Sequence, residues 1–266
     1  MKNRIVNHGP LRTAALAAIG FLILSTGPTL RCQEATLAKP VDEQKMNFKF
    51  PIDEKMVYKV KAFGISLATQ TNTTRGIAEK GGRSAVNIFS AIKTNRWVVM
   101  YGIDNSMETF IDAETLNPLH YEERANEKDW AAVEIVNFFP DRMKFNFKKG
   151  LKLDREGSGE FEYGPGGWPQ DELSMIYYVR HLDLKEGKTF TVPACVDNAL
   201  ETATIKVVKK QQLKTIHGKK DVFYVTSTLG DSKFYVGADE RRIPYGFEVT
   251  LNFGTIKATL VEYSPE

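Results

Sequence analysis

The residues of this chain that could do chemistry gather in one stretch, Trp168 to Leu182, reading WPQDELSMIYYVRHL. Asp171 stands where an acidic residue can accept amide hydrogen bonds from the first turn of a helix, and Ser174 follows at the spacing of the third helical amide. Arg180 lies near the far end, where a cation favours the negative end of the helix dipole or pairs with a strand carboxylate. A ligand-binding reading exists beside this capping one. In it Arg180 and Arg242 anchor an anionic head group, while Trp168, Tyr177 and Tyr178 border an apolar cavity, with Asp171 and Ser174 as its polar neighbours. Capping and ion pairing need no ligand, and they take precedence.

Other reactive groups are sparse. Past the first 38 residues the histidines are His120, His181 and His217, and no two stand at metal-ligand spacing. HExxH, CxxC and G-x-S-x-G are absent from the sequence. No catalytic residue, metal or cofactor is assigned, and an enzyme is not the expectation. A hydrolase with a dispersed site is the weakest reading, because it needs His181 or His120 beside a nucleophile brought in by folding. Gly164-Pro165-Gly166-Gly167 lacks the following Lys-Ser/Thr of a phosphate loop and reads as a hinge. The lysines at 206, 209, 210, 214, 219 and 220 alternate with Val207, Val208, Leu213 and Ile216 and carry no interleaved aromatics. A lysine-protected hairpin edge explains them better than nucleic acid does, with His217-Gly218 as its tip.

The stretch that holds these groups changes period relative to everything around it. Leu173, Ile176 and Tyr177 fall at i, i+3, i+4, and Met175, Tyr178, Val179 and Leu182 form a second helical stripe. A helix apolar on most sides is buried, so a helix over 169–182 is expected inside or across the mouth of a curved sheet. On both sides the chain alternates at period two, as in Met56, Tyr58, Val60 and Ala62, or Met143, Phe145 and Phe147. On the order of a dozen short strands at the spacing of sandwiches and barrels follow from that alternation. Gly150 to Gly159 reads as an exposed turn, Trp97 to Ile103 stays open between strand and helical turn, and Pro193 places its strand at an edge or an end.

Residues 1–38 read as a signal peptide: Lys2, Arg4 and Arg12 precede the apolar run Ala14 to Leu24, which is shorter than the ~20 residues a membrane span needs. Arg31 before Cys32 departs from the small residue that a lipidation site wants, so lipidation there is not favoured. Removal of this segment takes four of 36 Lys/Arg and one of 33 Asp/Glu, leaving 32 of each. The remaining chain is formally neutral, which gives no global electrostatic case for nucleic acid or for an anionic membrane. Residues 39–49 read as a linker and 50–264 as one β-barrel-like domain. Only Cys195 remains of the two cysteines after processing, so no intrachain disulfide is expected.

Three segments carry a resemblance: Phe50-Pro51-Ile52-Asp53-Glu54-Lys55-Met56-Val57-Tyr58, then Asp171 to Arg180 (DELSMIYYVR), then Asp239-Glu240-Arg241-Arg242-Ile243-Pro244. In order and spacing they resemble the opening, middle and closing signatures of a bacterial exported family, the domain of unknown function DUF3108. The Gly-Pro-Gly-Gly-Trp run before the helix and Val236-Gly237-Ala238 depart from its usual pattern. The resemblance implies an exported, periplasmic or outer-envelope protein with a curved antiparallel barrel, similar in outline to periplasmic lipid or lipoprotein carriers. Together these readings give a mainly β fold, an open or closed barrel with the 169–182 helix packed on its concave face. The function expected is non-enzymatic binding of a lipid or other amphipathic molecule in that concavity. An envelope scaffold with a fully packed core and a protein partner is the alternative. Nucleic acid is not an expected partner, and any membrane association would be peripheral.

Overall fold

The computed structural model describes residues 51–95, 102–127, 130–164, 167–251 and 254–265. The expected signal and linker segments, Cys32, and most of Trp97 to Ile103 lie outside them. Fourteen strands form one antiparallel sheet: β1 (Lys55–Ala62), β2 (Ile65–Lys80), β3 (Arg83–Thr94), β4 (Asp104–Asp112), β5 (Pro118–Glu127), β6 (Trp130–Phe138), β7 (Arg142–Gly150), β8 (Arg155–Glu162), β9 (Thr189–Val196), β10 (Ala199–Thr215), β11 (Gly218–Ser227), β12 (Ser232–Gly237), β13 (Pro244–Leu251) and β14 (Gly254–Ser264). A helix, α1 (Glu172–His181), stands between β8 and β9 in the chain.

The sheet is two meanders joined at the chain's own beginning and end. Spatial order runs β8 back to β1, then β14 back to β9, so β1 and β14 pair in the middle and β8 and β9 are the two edges. Among the described residues the sheet does not close on itself. Alternation in β1 sends Met56, Tyr58, Val60 and Ala62 inward and Lys59 and Lys61 outward, as period-two patterning requires. The inner face and α1 form one apolar core that includes Val86, Ile88, Val136, Met143, Val192, Ile205 and Val225. Seven of the ten helical residues are buried, among them Leu173, Ile176 and Tyr177, so α1 packs on the concave face as its doubled stripe demands.

Two expectations need correction. The helix starts at Glu172 rather than 169, because Gln170 is extended and pairs in parallel with edge strand β9. Its amide donates to the Pro193 carbonyl at 2.9 Å and its carbonyl accepts from the Cys195 amide at 2.8 Å. Backbone groups committed to a sheet edge cannot also open a helix. The second correction concerns Gly150 to Gly159: the turn is confined to 151–154 and β8 begins at Arg155. Gly157 and Gly159 had erased the alternation. A Cβ at Gly157 would meet the Phe147 ring at 2.7 Å and one at Gly159 the Phe145 ring at 2.5 Å, so aromatics of β7 cover the gaps that the glycines leave.

Pro193 lies on an edge strand, as its missing amide hydrogen dictates. The β10–β11 hairpin turns at Ile216-His217 with Gly218 at φ 82°, and β10 runs past the end of β9, which stops pairing with it at Lys206.

Candidate functional site

Asp171 caps α1 as its position predicts. Its Oδ1 accepts from the amides of Leu173 at 2.9 Å and Ser174 at 2.8 Å, and the Ser174 hydroxyl donates to the Asp171 carbonyl at 3.1 Å. Its second oxygen accepts from the Thr109 hydroxyl of β4 at 2.7 Å, which the sequence had not indicated. Burial pushes the Asp171 carboxyl up to about 6 against the opposing pull of these donors.

At the other end, Arg180 meets Glu54 in a fully buried bidentate pair. Nη1 donates to Oε2 at 2.6 Å and Nη2 to Oε1 at 2.9 Å, with side chains 1% and 0% exposed. Nη2 also donates to the Arg241 carbonyl at 3.1 Å, and the Tyr263 hydroxyl donates to Glu54 Oε1 at 2.9 Å. Burial alone would lower the Arg180 pKa, but the Glu54 charge and hydrogen bonds outweigh it and hold the guanidinium firmly ionised. Glu54 is itself placed by Thr74: its amide donates to Oγ1 at 2.7 Å and its carbonyl accepts from the Thr74 amide at 2.9 Å. The three signature segments thus converge on one ion pair, supplying Glu54, Arg180 and the Arg241 carbonyl. Tyr58 adds a second tie by donating to the Pro244 carbonyl at 2.8 Å.

The Arg180 fork is matched by a carboxylate of the same chain, the pairing that its place near the helix end predicts. Arg242 does not join it. That residue sits in the left-handed region at φ 48°, its guanidinium 5.2 Å from the Phe223 ring, and burial lowers its pKa. Trp168 donates from Nε1 to the Pro118 carbonyl at 2.8 Å and lies beside the Tyr163 ring, so it ties the segment before α1 to the start of β5. Tyr177 is wholly buried and Tyr178 half-buried. His120 bonds through Nδ1 to Asn137 Oδ1 at 2.8 Å, and His181 through Nδ1 to the Tyr177 carbonyl at 2.7 Å, with burial lowering its pKa to about 4.

What sequence reasoning missed is a polar row crossing the apolar concave face. Register places Asn72 opposite Ser90, Ser90 opposite Met107, Met107 opposite Glu123 and Glu123 opposite Glu134. At one end Gln70 and Asn72 are 0% exposed. Gln70 Nε2 donates to Asn72 Oδ1 and Ser90 Oγ, each at 3.1 Å, and Ser90 Oγ donates to Asn72 Oδ1 at 2.8 Å. Gln70 Oε1 and Asn72 Nδ2 are left without a partner among the described residues. Asn72 opens a glycosylation sequon, yet its burial puts it out of reach of modification.

At the other end of the row, Glu123 and Glu134 face each other half-buried, beside Glu172 from the first turn of α1 and Asp197 from the β9–β10 turn. Burial and the mutual repulsion of these carboxylates raise Glu123 to about 8 and Glu134 to about 7, and lift Glu172 as well; burial raises Asp197. Lys149 is the cation that opposes this at Glu134 and Asp197. No signal in the sequence marks the row, since Asn72, Ser90, Glu123 and Glu134 lie on four strands and meet only through register. Among the described residues no cluster of His, Cys, Asp or Glu has metal-binding geometry.

Comparison with known proteins agrees with this architecture. A solved β-barrel-like protein of the domain of unknown function DUF1849 from Brucella abortus superposes with a TM-score of 0.55 at 10% identity, covering 81% of this chain and 98% of that one. A protein described as exported, with a YmcC-like fold, from Bacteroides fragilis gives a TM-score of 0.36 at 9% identity over 83% of this chain and 99% of that one. A comparison with curated proteins gives no match. The first likeness supports the barrel-like fold and nothing finer. The model of one family, described as protein of unknown function (DUF3108), matches residues 56–261, and the chain, whose three signature segments meet at the Glu54–Arg180 pair, belongs to that family.

Proposed function

We propose that this is a non-enzymatic, exported protein of the cell envelope that binds an amphipathic molecule on the concave face of its sheet. The carrying observation is the polar row. A barrel interior built only for stability has no use for two carboxylates in register, and an unpartnered buried amide costs about 1–3 kcal/mol. A guest with an apolar body and a hydroxyl or amine end would offset both. Apolar walls with a few placed polar groups are the usual composition of such sites. The anionic head group expected at Arg180 is set aside, since the guanidinium is already matched and the ionisable groups of the polar row, Glu123 and Glu134, are themselves carboxyl groups.

The test is thermal unfolding of the purified protein at pH 8 with dodecylamine, dodecanol or dodecanoate, each below its micellar concentration. The expected order of stabilisation is amine, then alcohol, then carboxylate, with the amine effect lost in Glu134→Gln and the alcohol effect reduced in Asn72→Leu. Stabilisation by none of the three, or by dodecanoate most strongly, overturns the proposal. The first of those outcomes would favour the second reading, an envelope scaffold with a protein partner. The observation on its side is that α1 is pinned at both ends, by Thr109 at Asp171 and by Glu54 at Arg180.

A further inference from the structure

The chain's charge is balanced overall but not in space. The outward positions of β10 to β14 and β1 form two adjoining transverse rows, assigned by register. One runs Lys206, Thr226, Lys233, Glu248, Lys257, Lys61, and the other runs Lys209, Tyr224, Tyr235, Gly246, Thr259, Lys59. Side-chain contacts confirm a continuous face. Tyr224 and Tyr235 stack at 5.5 Å, Lys257 Nζ lies 5.9 Å from the Tyr235 ring, and Tyr235 Oη donates to Glu248 at 3.2 Å. Six lysines thus share the two rows with one carboxylate, Glu248, which is held by Lys257 at 2.6 Å. Glu262, further along β14, pairs with Lys55 at 2.8 Å. Edge protection does not explain lysines on the interior strands β1, β12 and β14, which are paired on both sides.

At the margin of this face, two residues after Lys61, the β1–β2 hairpin turns through Phe63 and Gly64. Phe63 is 76% exposed and Ile65 53%. Both turn residues have positive φ, 51° and 78°. Asparagine or glycine suits the first position of such a turn, and a non-glycine residue there costs about 1–2 kcal/mol. The Phe63 ring covers Gly254 of the β13–β14 turn, where a Cβ would meet it at 2.8 Å, but three quarters of the side chain stays in solvent and is free for an outside contact.

We propose that the lysine-lined outer face of β1 and β10 to β14, with Phe63 and Ile65 at its margin, docks peripherally on an anionic phospholipid bilayer. Lysines near such a surface are attracted by its negative potential, and adjacent apolar side chains enter the headgroup boundary. Nucleic acid fits less well. The two tyrosine faces are spent on each other and offer no platform for bases, and the cations are lysines without the planar fork of arginine. This inference is independent of what the concave face binds.

The experiment is co-sedimentation of the protein with vesicles of equal phosphatidylglycerol and phosphatidylcholine, and with phosphatidylcholine alone, at low and high salt. Binding is expected only to the anionic vesicles and is expected to fall with salt. Replacing Lys59, Lys61, Lys206 and Lys209 by Gln should weaken it by at least about a hundredfold, since each lysine is worth about fivefold. Phe63→Asn, a residue the turn prefers, should weaken binding at unchanged charge while changing the melting temperature little, since relief of the turn offsets the lost cover of Gly254, which separates docking from folding. No binding to anionic vesicles, equal binding to neutral ones, an unaffected lysine variant, or displacement from vesicles by a single-stranded oligonucleotide would each overturn the proposal.

Discussion

Removing one partner of the Glu54–Arg180 pair should destabilise the protein in a way that depends on which partner goes. Both side chains are buried at the meeting point of β1, α1 and the loop before β13, and breaking such a pair costs about 3–5 kcal/mol. In Glu54→Gln the guanidinium stays charged at any accessible pH, so the full cost persists from pH 5 to pH 8. In Arg180→Met the stranded carboxyl can take a proton instead. For an ordinary glutamate that costs about 4 kcal/mol at pH 7 and about 1 kcal/mol at pH 5, at about 1.4 kcal/mol per unit. The destabilisation of Arg180→Met should therefore shrink by about 2–3 kcal/mol between pH 7 and pH 5, while that of Glu54→Gln stays constant. Glu54→Leu with Arg180→Met, which removes both charges, should be less damaging than either single change. Urea unfolding followed by tryptophan fluorescence at the two pH values measures all three against wild type. Equal pH dependence in the two single variants, or a double variant at the sum of the singles, would refute the pairing as the source of the energy.

Three further outcomes are expected. Asp171→Ala should cost about 1–2 kcal/mol in urea unfolding through loss of the cap, whereas Asp171→Asn, also a good cap, should cost little. Because Glu123 and Glu134 have folded pKa values above those of the unfolded chain, their contribution is present below about pH 4.5 and is lost as pH rises through about 7 to 8. Melting temperature should accordingly be higher at pH 5.5 than at pH 8, and Glu134→Gln should raise the value at pH 8 while changing it little at pH 5.5. Cys195 is buried and its thiol pushed well up, so it should react with a disulfide reagent only on unfolding; labelling of the folded protein at the rate of a free thiol would contradict the structure.

How much of this was legible beforehand differs between elements. The helix is visible as a change of period, and its cap as one aspartate before an apolar run, because both are local. The strand pairing just before that cap was not, since Gln170 is claimed by β9, which follows it in the chain by more than twenty residues. β8 was hidden because Gly157 and Gly159 carry no side chain to alternate, and the rings that cover them belong to β7. Arg180 was readable as a paired cation, but Glu54 as its partner was not, at a separation of 126 residues.

The sequence by itself determined an antiparallel β-rich chain with one buried helix and lysine-bearing strand faces, because alternation, helical period and capping depend on neighbours within a few positions. Tertiary structure alone decided which strands are edges, that β1 and β14 join the two meanders, and that Asn72, Ser90, Glu123 and Glu134 share one inner row while six lysines share two adjoining outer rows. The physical reason is that register converts positions far apart in the chain into neighbours about 5 Å apart, and no local pattern encodes that conversion.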